Sequence, residues 1–227
     1  MKKWTEEQIQ AERERLYQMQ TYERAYREAG YGYVLGVDEA GRGPLCGPVA
    51  AACCILPPDC EIFCLNDSKK LTEAKREQLF SEIEEKAVSY GIGLCSAARI
   101  DEINILNATF EAMRKAIAEC ERMLEEKYGK DASSKSRIIL VDGNRKIKEL
   151  TEPQETLVKG DAHSLSIAAA SVLAKVTRDR ILLEYDKEYP QYGFAKHKGY
   201  GTKQHVAALH EYGVLPIHRK SFLTKLL

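Results

Sequence analysis

The sequence predicts an α/β domain in which helices flank a mixed five-stranded sheet. Two observations support this fold class. Short apolar runs bounded by glycine or proline are typical of strands, and they alternate with longer amphipathic segments that are typical of helices. Their order along the 227 residues is two strands, a helix, a strand, a helix, two strands and a helix. This alternation favours one α/β sheet over separate helical and β domains.

Five short segments have the composition and boundaries of strands. Valine, isoleucine and other apolar residues dominate most of them, and glycine, proline or aspartate stands near their ends. The predicted strands are Tyr33–Val37, Val49–Leu56, Gly91–Ala97, Arg137–Val141 and Thr156–Val158.

The helical segments are longer and carry start and stop signals. The tetrapeptide Thr5-Glu6-Glu7-Gln8 has the pattern of a capping box, which predicts a leader helix that ends near Ala29, before Gly30. Alanines in the helix that follows the last strand form a small-residue face, which lets the sheet approach closely. The further predicted helices span 72–90, 101–128, 164–185 and 203–212.

The composition excludes several classes of protein. Hydrophobic residues make up 44% of the chain and charged residues 30%, which is ordinary for a globular protein. The longest uninterrupted apolar run, Val49–Leu56, is too short to cross a membrane. The N-terminus runs straight into charged residues and carries no secretory signal. We therefore expect a cytoplasmic protein with no membrane association.

The cysteine pattern gives no sign of a zinc site or a disulfide framework. There are seven cysteines, an odd number, and no Cys-x-x-Cys pair occurs. Scattered cysteines of this kind are typical of small buried residues in a reducing compartment.

The charge is balanced over the whole chain but concentrated at one end. Between Lys187 and Leu227, seven lysines and arginines against two glutamates leave a charge of +5, and four of the five histidines also lie there. A basic segment of this kind indicates a polyanionic partner. We divide the chain into a leader helix at 1–30, a core at 31–190 and a basic, partly helical extension at 191–227.

Four acidic residues follow predicted strands. Asp38 and Glu39 come directly after the first strand, Asp142 after the fourth, and Asp161 shortly after the fifth. Strand ends are where α/β proteins usually place their sites, and converging carboxylates need a cation to offset their repulsion. Oxygen ligands favour Mg²⁺ or Mn²⁺ over zinc, and two such ions would suit in-line phosphoryl transfer. The alternative for Asp142 or Asp161 alone is a turn former or helix cap.

The adjacent pair sets a geometric condition. Successive side chains of a regular strand point to opposite faces, so Asp38 and Glu39 can serve one centre only if the strand ends or bends there. The Ala40-Gly41 step that follows permits this.

Two segments are candidates for contact with a nucleic acid. The glycines of Gly41-Arg42-Gly43 would let backbone amides approach a sugar or phosphate closely, and the alternative is a plain turn between strands. The segment Phe194–Thr202 interleaves aromatic residues with lysines and glycines, which suits phosphate binding and ring stacking. Its Tyr200 would otherwise only cover an edge of the core.

Seven motifs in order along the chain together resemble one family, the type 2 ribonucleases H, and within it the bacterial ribonuclease HII enzymes. The motifs are GVDEAGRGPLCGPV (36–49), NDSKKLT (66–72), DEINIL (101–106), VDGN (141–144), KGDAHSLSIAAASVLAKVTRDR (159–180), HKGYGT (197–202) and GVLPIHRKSF (213–222). The resemblance implies a ribonuclease H-like fold. Cys46 stands where alanine is expected, a small enlargement.

The resemblance implies a role for each of the four acids. They match the family's catalytic, metal-binding residues, with Asp38 bridging two Mg²⁺ or Mn²⁺ ions. Asp161 would complete the shell of one ion, and Glu39 with Asp142 that of the other.

The resemblance also implies how the substrate is read. Gly41, Arg42 and Gly43 match a loop whose backbone recognises the ribose 2′-hydroxyl, the group that distinguishes RNA from DNA. Tyr200 matches a tyrosine that stacks on the next sugar and favours deoxyribose there. Lys69 and Lys198 are further candidates for substrate binding.

The implied activity is endonucleolytic hydrolysis of the RNA strand of RNA–DNA hybrids, including cleavage on the 5′ side of a single ribonucleotide in duplex DNA. The products would carry 5′-phosphate and 3′-hydroxyl ends. We expect a monomer.

Two alternatives remain: a non-catalytic hybrid-binding module, which the four acids disfavour, and a two-metal nuclease of the resolvase or integrase type, which the Gly-Arg-Gly loop and Tyr200 disfavour. The same loop argues against ribonuclease HIII.

Overall fold

The computed structural model describes residues 4–224 and 226. Its centre is a five-stranded sheet with the strand order β3-β2-β1-β4-β5. The pairs β1–β2 and β2–β3 are antiparallel, whereas β1–β4 and β4–β5 are parallel, so the predicted mixed sheet is confirmed. The strands are β1 (Tyr33–Ala40), β2 (Val49–Ile55), β3 (Ser89–Cys95), β4 (Arg137–Asp142) and β5 (Gln154–Leu157).

Helices cover both faces of this sheet. The long helices α4 and α6 pack on opposite faces, each over its own cluster of buried apolar side chains. The helices are α1 (Glu6–Met19), α2 (Thr21–Glu28), α3 (Glu73–Lys86), α4 (Ala97–Tyr128), α5 (Lys130–Ser133), α6 (Leu165–Glu188), α7 (Phe194–His197), α8 (Lys203–Tyr212) and α9 (Lys220–Leu223).

The leader is two helices, so the prediction of one continuous helix was wrong. The chain leaves helical geometry at Gln20, whose φ and ψ are −97° and 12°. The Gln20 side chain is buried, and its amide donates to the carbonyls of Leu16 and Cys60. The break therefore reflects a contact with a distant loop, which no local pattern reveals.

Two other boundaries differ from the sequence prediction for related reasons. Helix α3 ends at Lys86 rather than near Tyr90, because Val88 already donates to the carbonyl of Ile55 and starts the pairing of β3 with β2. Helix α4 begins at Ala97, before the predicted start, and is kinked at Asn104, whose φ is 64°. The Asn104 side chain accepts from the amides of the residues that follow and caps the second part of the helix.

The C-terminal segment packs against the core as a satellite cluster. Tyr192 and Phe194 are fully buried and stack with ring centroids 5.3 Å apart. Asp101 of α4 accepts hydrogen bonds from the amides of Lys220 and Ser221 and so anchors α9. In the described part of the chain, every helix is too short or too polar to span a bilayer.

Candidate active site

The acids that follow the strands lie at one edge of the sheet. Strands β1 and β4 are parallel neighbours, paired as far as Val37 and Val141, so Asp38 and Asp142 lie just beyond the last pair. Asp161 lies in a single 3₁₀ turn at 160–162, after β5. The amide of Gly160 donates to Asp142 Oδ1 at 2.7 Å, which ties this turn to the end of β4.

Asp38 and Glu39 reach the same cleft although they are neighbours on β1. The strand ends one residue past Glu39, and Gly41 turns the chain with a φ of 93°. The backbone amide of Glu39 donates to Asp38 Oδ1 at 2.7 Å. Both side chains line a cavity of about 240 Å³ that also includes Asp142. Both residues border one cavity, although β1 stays paired with β2 through Ala40.

The carboxylates sit in an environment that opposes their charge. Burial, and then repulsion from Glu39 and Asp142, raises the pKa of Asp38 well above its usual range. Burial also raises the pKa of Glu39, although Arg42 works against it. The pKa of Asp161 is raised by burial and by the neighbouring carboxylates of Asp67 and Asp142. The protein's own cations leave this negative charge incompletely compensated.

Two of the predicted substrate-binding cations lie beside the acids. Lys69 Nζ is 3.9 Å from Asp161 Oδ2, and Arg42 Nη1 is 3.3 Å from Glu39 Oε1. Both side chains are at least half exposed, so they are free to turn toward a ligand. Lys198 is different, because it lies outside the lining of the cavity and its ammonium is 3.6 Å from Glu73 Oε1.

Tyr200 and Gly43 are neighbours in the lining of this cavity. A Cβ atom placed on Gly43 would lie 3.6 Å from Tyr200 Cε1 and would contact nothing else of the protein within 4 Å. Tyr200 is 49% exposed. Bare backbone thus lies beside an exposed ring at the edge of the cavity, and we call the place where Gly43 and Tyr200 adjoin the slot.

A buried arginine holds the glycine loop from beneath. Arg219 is fully buried, and its guanidinium donates to the carbonyls of Gly41, Arg42, Pro44 and Gly47 at 2.6–3.0 Å. With these carbonyls directed inward, the backbone conformation of the loop is fixed independently of any ligand.

A second buried arginine joins the glycine loop to the segment that carries Tyr200. Arg178 donates to the carbonyls of Cys46 and Pro48 on one side and to the carbonyl of Lys198 on the other, each at 3.0 Å. A Cβ on Gly41 would lie 2.0 Å from Arg178 Nε, so only glycine fits there. Sequence reasoning missed both arginines as site residues, although each lies within a motif.

Buried histidines support the backbone of Tyr200. The amide of Leu215 donates to His218 Nδ1 at 3.0 Å, so that nitrogen carries no proton. His218 Nε2 therefore donates to His205 Nε2, also 3.0 Å away, and His205 Nδ1 donates to the carbonyl of Tyr200. Cys46 lies within 4.8 Å of both rings. Because each ring nitrogen already has a partner, we interpret this cluster as hydrogen-bonded core and not as a metal site.

One face of α6 contributes side chains that the sequence analysis did not single out. Ser171, Lys175 and Arg178 all line the cavity, and their spacing of four and three residues places them on one side of the helix. The Ser171 hydroxyl lies 2.8 Å from the hydroxyl of Ser68, and its interaction with the Asp38 carboxylate works against the rise in the pKa of Asp38. The helical spacing of these polar residues, in the part of α6 that follows a run of alanines, was the signal that could have identified them.

The donor set fits hard divalent cations. Its members are carboxylates, and burial and neighbouring carboxylates raise the pKa values of Asp38, Glu39 and Asp161. No histidine or cysteine is among the residues that line the cavity. Asp161 also lies outside that lining, and among the described residues no three of these acids have carboxylate oxygens within 4.8 Å of one another. Oxygen-only ligand sets of this kind suit Mg²⁺ or Mn²⁺. A cation would remove the repulsion that the protein leaves in place.

Comparisons with known proteins identify the family of the chain. Residues 35–225 match the sequence profile of a family described as ribonuclease HII. The ribonuclease HII of Ruminiclostridium cellulolyticum is 53% identical over 212 residues, which cover 93% of this chain and 78% of that protein. That of Caldanaerobacter subterraneus subsp. tengcongensis is 51% identical over 226 residues, which cover 100% of this chain and 87% of the relative.

Solved structures give the same answer. The ribonuclease H2 of Pyrococcus horikoshii OT3 is similar with a TM-score of 0.62 and 27% identity, over 86% of this chain and 96% of that one. The profile covers most of the chain, and the two bacterial relatives are similar over nearly all of it. The chain therefore belongs to the ribonuclease HII family and is a metal-dependent ribonuclease H.

Proposed function

We propose that this protein cleaves the RNA strand of RNA–DNA hybrids and also cuts duplex DNA on the 5′ side of a single embedded ribonucleotide. The observation that carries the proposal is the placement of clustered carboxylates beside a slot between Gly43 and Tyr200. The acids supply a site for hydrolysis, and the slot lies where an adjoining sugar would be read. The products would carry 5′-phosphate and 3′-hydroxyl ends.

The four acids would hold two Mg²⁺ or Mn²⁺ ions, with Asp38 shared between them. When bound, these ions would activate the attacking water and stabilise the leaving oxygen. The protein's part is to hold the carboxylates in place before the substrate arrives. Ser171 does this for Asp38, and the amide of Gly160 does it for Asp142.

Selectivity for a ribonucleotide would come from the glycine loop. Gly43 has no side chain between its backbone and the slot, so a sugar can come within hydrogen-bond distance of the main chain. The 2′-hydroxyl both donates and accepts, and a fixed backbone can therefore distinguish it from the hydrogen of deoxyribose. Tyr200 would stack on the next sugar and disfavour a second hydroxyl there.

Phosphates would be held by the cations around the cleft. Arg42 and Lys69 are exposed beside the acids, and Lys198 would contribute after leaving Glu73. Each phosphate contact of this kind makes the affinity more dependent on salt. The cellular roles that follow are repair of misincorporated ribonucleotides and removal of RNA primers, by a cytoplasmic protein that acts as a monomer.

The deciding experiment uses a labelled DNA duplex that contains one ribonucleotide. The protein is incubated with it in Mg²⁺, with and without EDTA, beside a long RNA–DNA hybrid. We expect a metal-dependent nick on the 5′ side of the ribonucleotide, which we call junction cleavage. The Tyr200→Ala variant should lose junction cleavage while it stays folded. Cleavage of the long hybrid alone would overturn the roles of Gly41, Gly43 and Tyr200. Binding without cleavage of either substrate would favour the hybrid-binding module.

A further inference from the structure

The leader helix α2 contacts the segment that carries Asp161, although it lies far from it in sequence. Glu23 of α2 is only 2% exposed. Its Oε1 atom accepts from the hydroxyl of Ser164 at 2.6 Å and from the amide of Ser166 at 2.9 Å. Ser164 is the N-cap of α6, and its hydroxyl in turn accepts from the amide of Ile167. A carboxylate is thus buried against the first turn of α6, where the helix dipole favours negative charge.

The same turn of α6 also touches β1 close to the acids. A Cβ atom on Gly36 would lie 2.2 Å from the carbonyl carbon of Ser166 and 2.3 Å from the amide nitrogen of Ile167. Gly36 precedes Asp38 by two residues on β1. The first turn of α6 packs directly on β1. A displacement of this turn would therefore change its position relative to Asp38.

A second contact from α2 reaches the other end of the segment. The hydroxyl of Tyr26 donates to the carboxylate of Glu155 in β5, and this hydrogen bond raises the pKa of Tyr26 to about 12. Asp161 lies in the connection between β5 and α6, which runs from 158 to 164. Glu23 and Tyr26 lie less than one turn apart on α2. They therefore form hydrogen bonds with the chain on both sides of Asp161.

We propose that α2 is a clamp for this active-site segment and that Glu23 is a positioning residue for Asp161. The family profile begins at residue 35, so the clamp lies outside the segment that it describes. Glu23 sets the start of α6, the amide of Ser164 donates to the carbonyl of Gly160 at 2.8 Å, and the turn between them presents the Asp161 carboxylate. The inference rests on the proposed role of Asp161 as a metal ligand.

The test measures Mn²⁺ binding to the whole protein without substrate, by the loss of the electron paramagnetic resonance signal of free Mn²⁺. We expect Glu23→Ala to weaken binding about tenfold, the lower end of the range for residues that orient metal ligands. Glu23→Gln keeps an acceptor oxygen for both hydrogen bonds and should restore the affinity to within about twofold. Tyr26→Phe should have an intermediate effect.

A matched control separates positioning from stability. Leu16 is a buried anchor of α1 with 1% exposure, and Leu16→Ala should destabilise the leader without changing Mn²⁺ affinity. The rate of amide hydrogen exchange over 159–168 gives a second readout. This rate should rise in Glu23→Ala and stay unchanged in Leu16→Ala. Should Glu23→Ala fail to fold, Tyr26→Phe provides the weakened variant for the same comparison, because it removes the other contact of α2 with this segment.

Two results would decide against the proposal in distinguishable ways. If Asp161→Asn weakens Mn²⁺ binding but Glu23→Ala and Tyr26→Phe bind as the parent does, α2 only stabilises the fold. If Asp161→Asn itself leaves Mn²⁺ binding unchanged, the metal role assigned under the proposed function fails, and the clamp has no ligand to position.

Discussion

At the residue scale, Asp38 combines burial with charge. It is 3% exposed, and other carboxylates adjoin it. Such an arrangement destabilises the metal-free protein, because a buried charge costs free energy unless it is paired. The raised pKa of Asp38 expresses this cost. Sites that accept a local loss of stability in return for chemistry are common in enzymes.

The first prediction concerns Asp38→Asn. The amide oxygen of asparagine can still accept from the amide of Glu39, so the fold should persist while a charge disappears. We expect the metal-free variant to be more stable by on the order of 1 kcal/mol, measured by urea unfolding in EDTA. Cleavage should fall by about a thousandfold or more, since metal ions supply several kcal/mol of transition-state stabilisation.

The exposed Asp131 provides the control for this prediction. Asp131→Asn removes the same charge at the surface and should change neither stability nor cleavage. A metal-free Asp38→Asn protein that is less stable than the parent would show that the carboxylate is paired better than the structure indicates.

The second prediction uses the two glycines of the loop. Gly43→Ala has room in the folded protein, so its stability should change by about 0.5 kcal/mol or less. The added methyl group would occupy the slot and displace the sugar, and cleavage at a single ribonucleotide should fall by about a hundredfold. Kinetics on the junction substrate beside a thermal melt would measure both quantities.

Gly41→Ala is the contrasting variant, because its Cβ would collide with Arg178 at a φ of 93°. It should lose stability and cleavage together. Normal junction cleavage by a folded Gly43→Ala protein would show that the substrate does not approach this backbone.

At the element scale, the histidines of the C-terminal segment make its stability depend on pH. Burial lowers the pKa of His218 to about 4, and burial also lowers the pKa of His205. Repulsion from His205 further lowers the pKa of His218, and repulsion from His197 further lowers that of His205. These elements therefore require neutral imidazoles.

The third prediction follows from this requirement. An unfolded histidine takes up a proton near pH 6.5, whereas His218 in the fold does so only near pH 4. The unfolded state binds more protons in between, so this contribution to stability is complete above pH 6.5 and is lost as the pH falls toward 4. Urea unfolding at several pH values should show the loss.

The pKa values of Asp38, Glu39 and Asp161 are raised and not lowered, so these groups give stability the opposite dependence on pH and the comparison must be made between variants. His218→Asn should be less stable than the parent at pH 7 and should lose less stability on acidification. His210 is exposed, and His210→Asn should follow the parent at every pH. An unchanged pH dependence in His218→Asn would mean that other groups dominate acid unfolding.

At the scale of the whole molecule, the site joins parts of the chain that are far apart. Asp38 comes from β1, Asp142 from β4 and Asp161 from the approach to α6, while Arg219 of the C-terminal segment holds the loop after β1. A ligand shared by these parts binds only the folded protein. Its binding must therefore stabilise the whole fold.

The fourth prediction is that Mn²⁺ at ten times its dissociation constant stabilises the protein by about 1.4 kcal/mol against unfolding. A thermal melt with increasing Mn²⁺ would measure it, and EDTA should reverse the shift. Asp161→Asn should show a much smaller shift at the same Mn²⁺ concentration. An equal shift in this variant would indicate metal binding elsewhere on the molecule.

Much of the fold was predictable because its signals are local. The apolar runs of the five strands and the caps of the later helices are properties of neighbouring residues, and the structure confirms all five strands with shifted ends. The break at Gln20 and the kink at Asn104 were missed. The Gln20 side chain donates to a carbonyl 40 residues away, whereas the sequence pattern around it is typical of a continuous helix.

The amino-acid sequence by itself determined the family, the order of the strands along the chain and the identity of the candidate acids, since these follow from motifs and short-range patterns. Only the tertiary structure decided how the candidate site is held. Arg219 reaches Gly41 across 178 residues, and Glu23 reaches Ser164 across 141. Such contacts depend on how helices and strands pack, and a buried arginine or glutamate has the same letter as an exposed one.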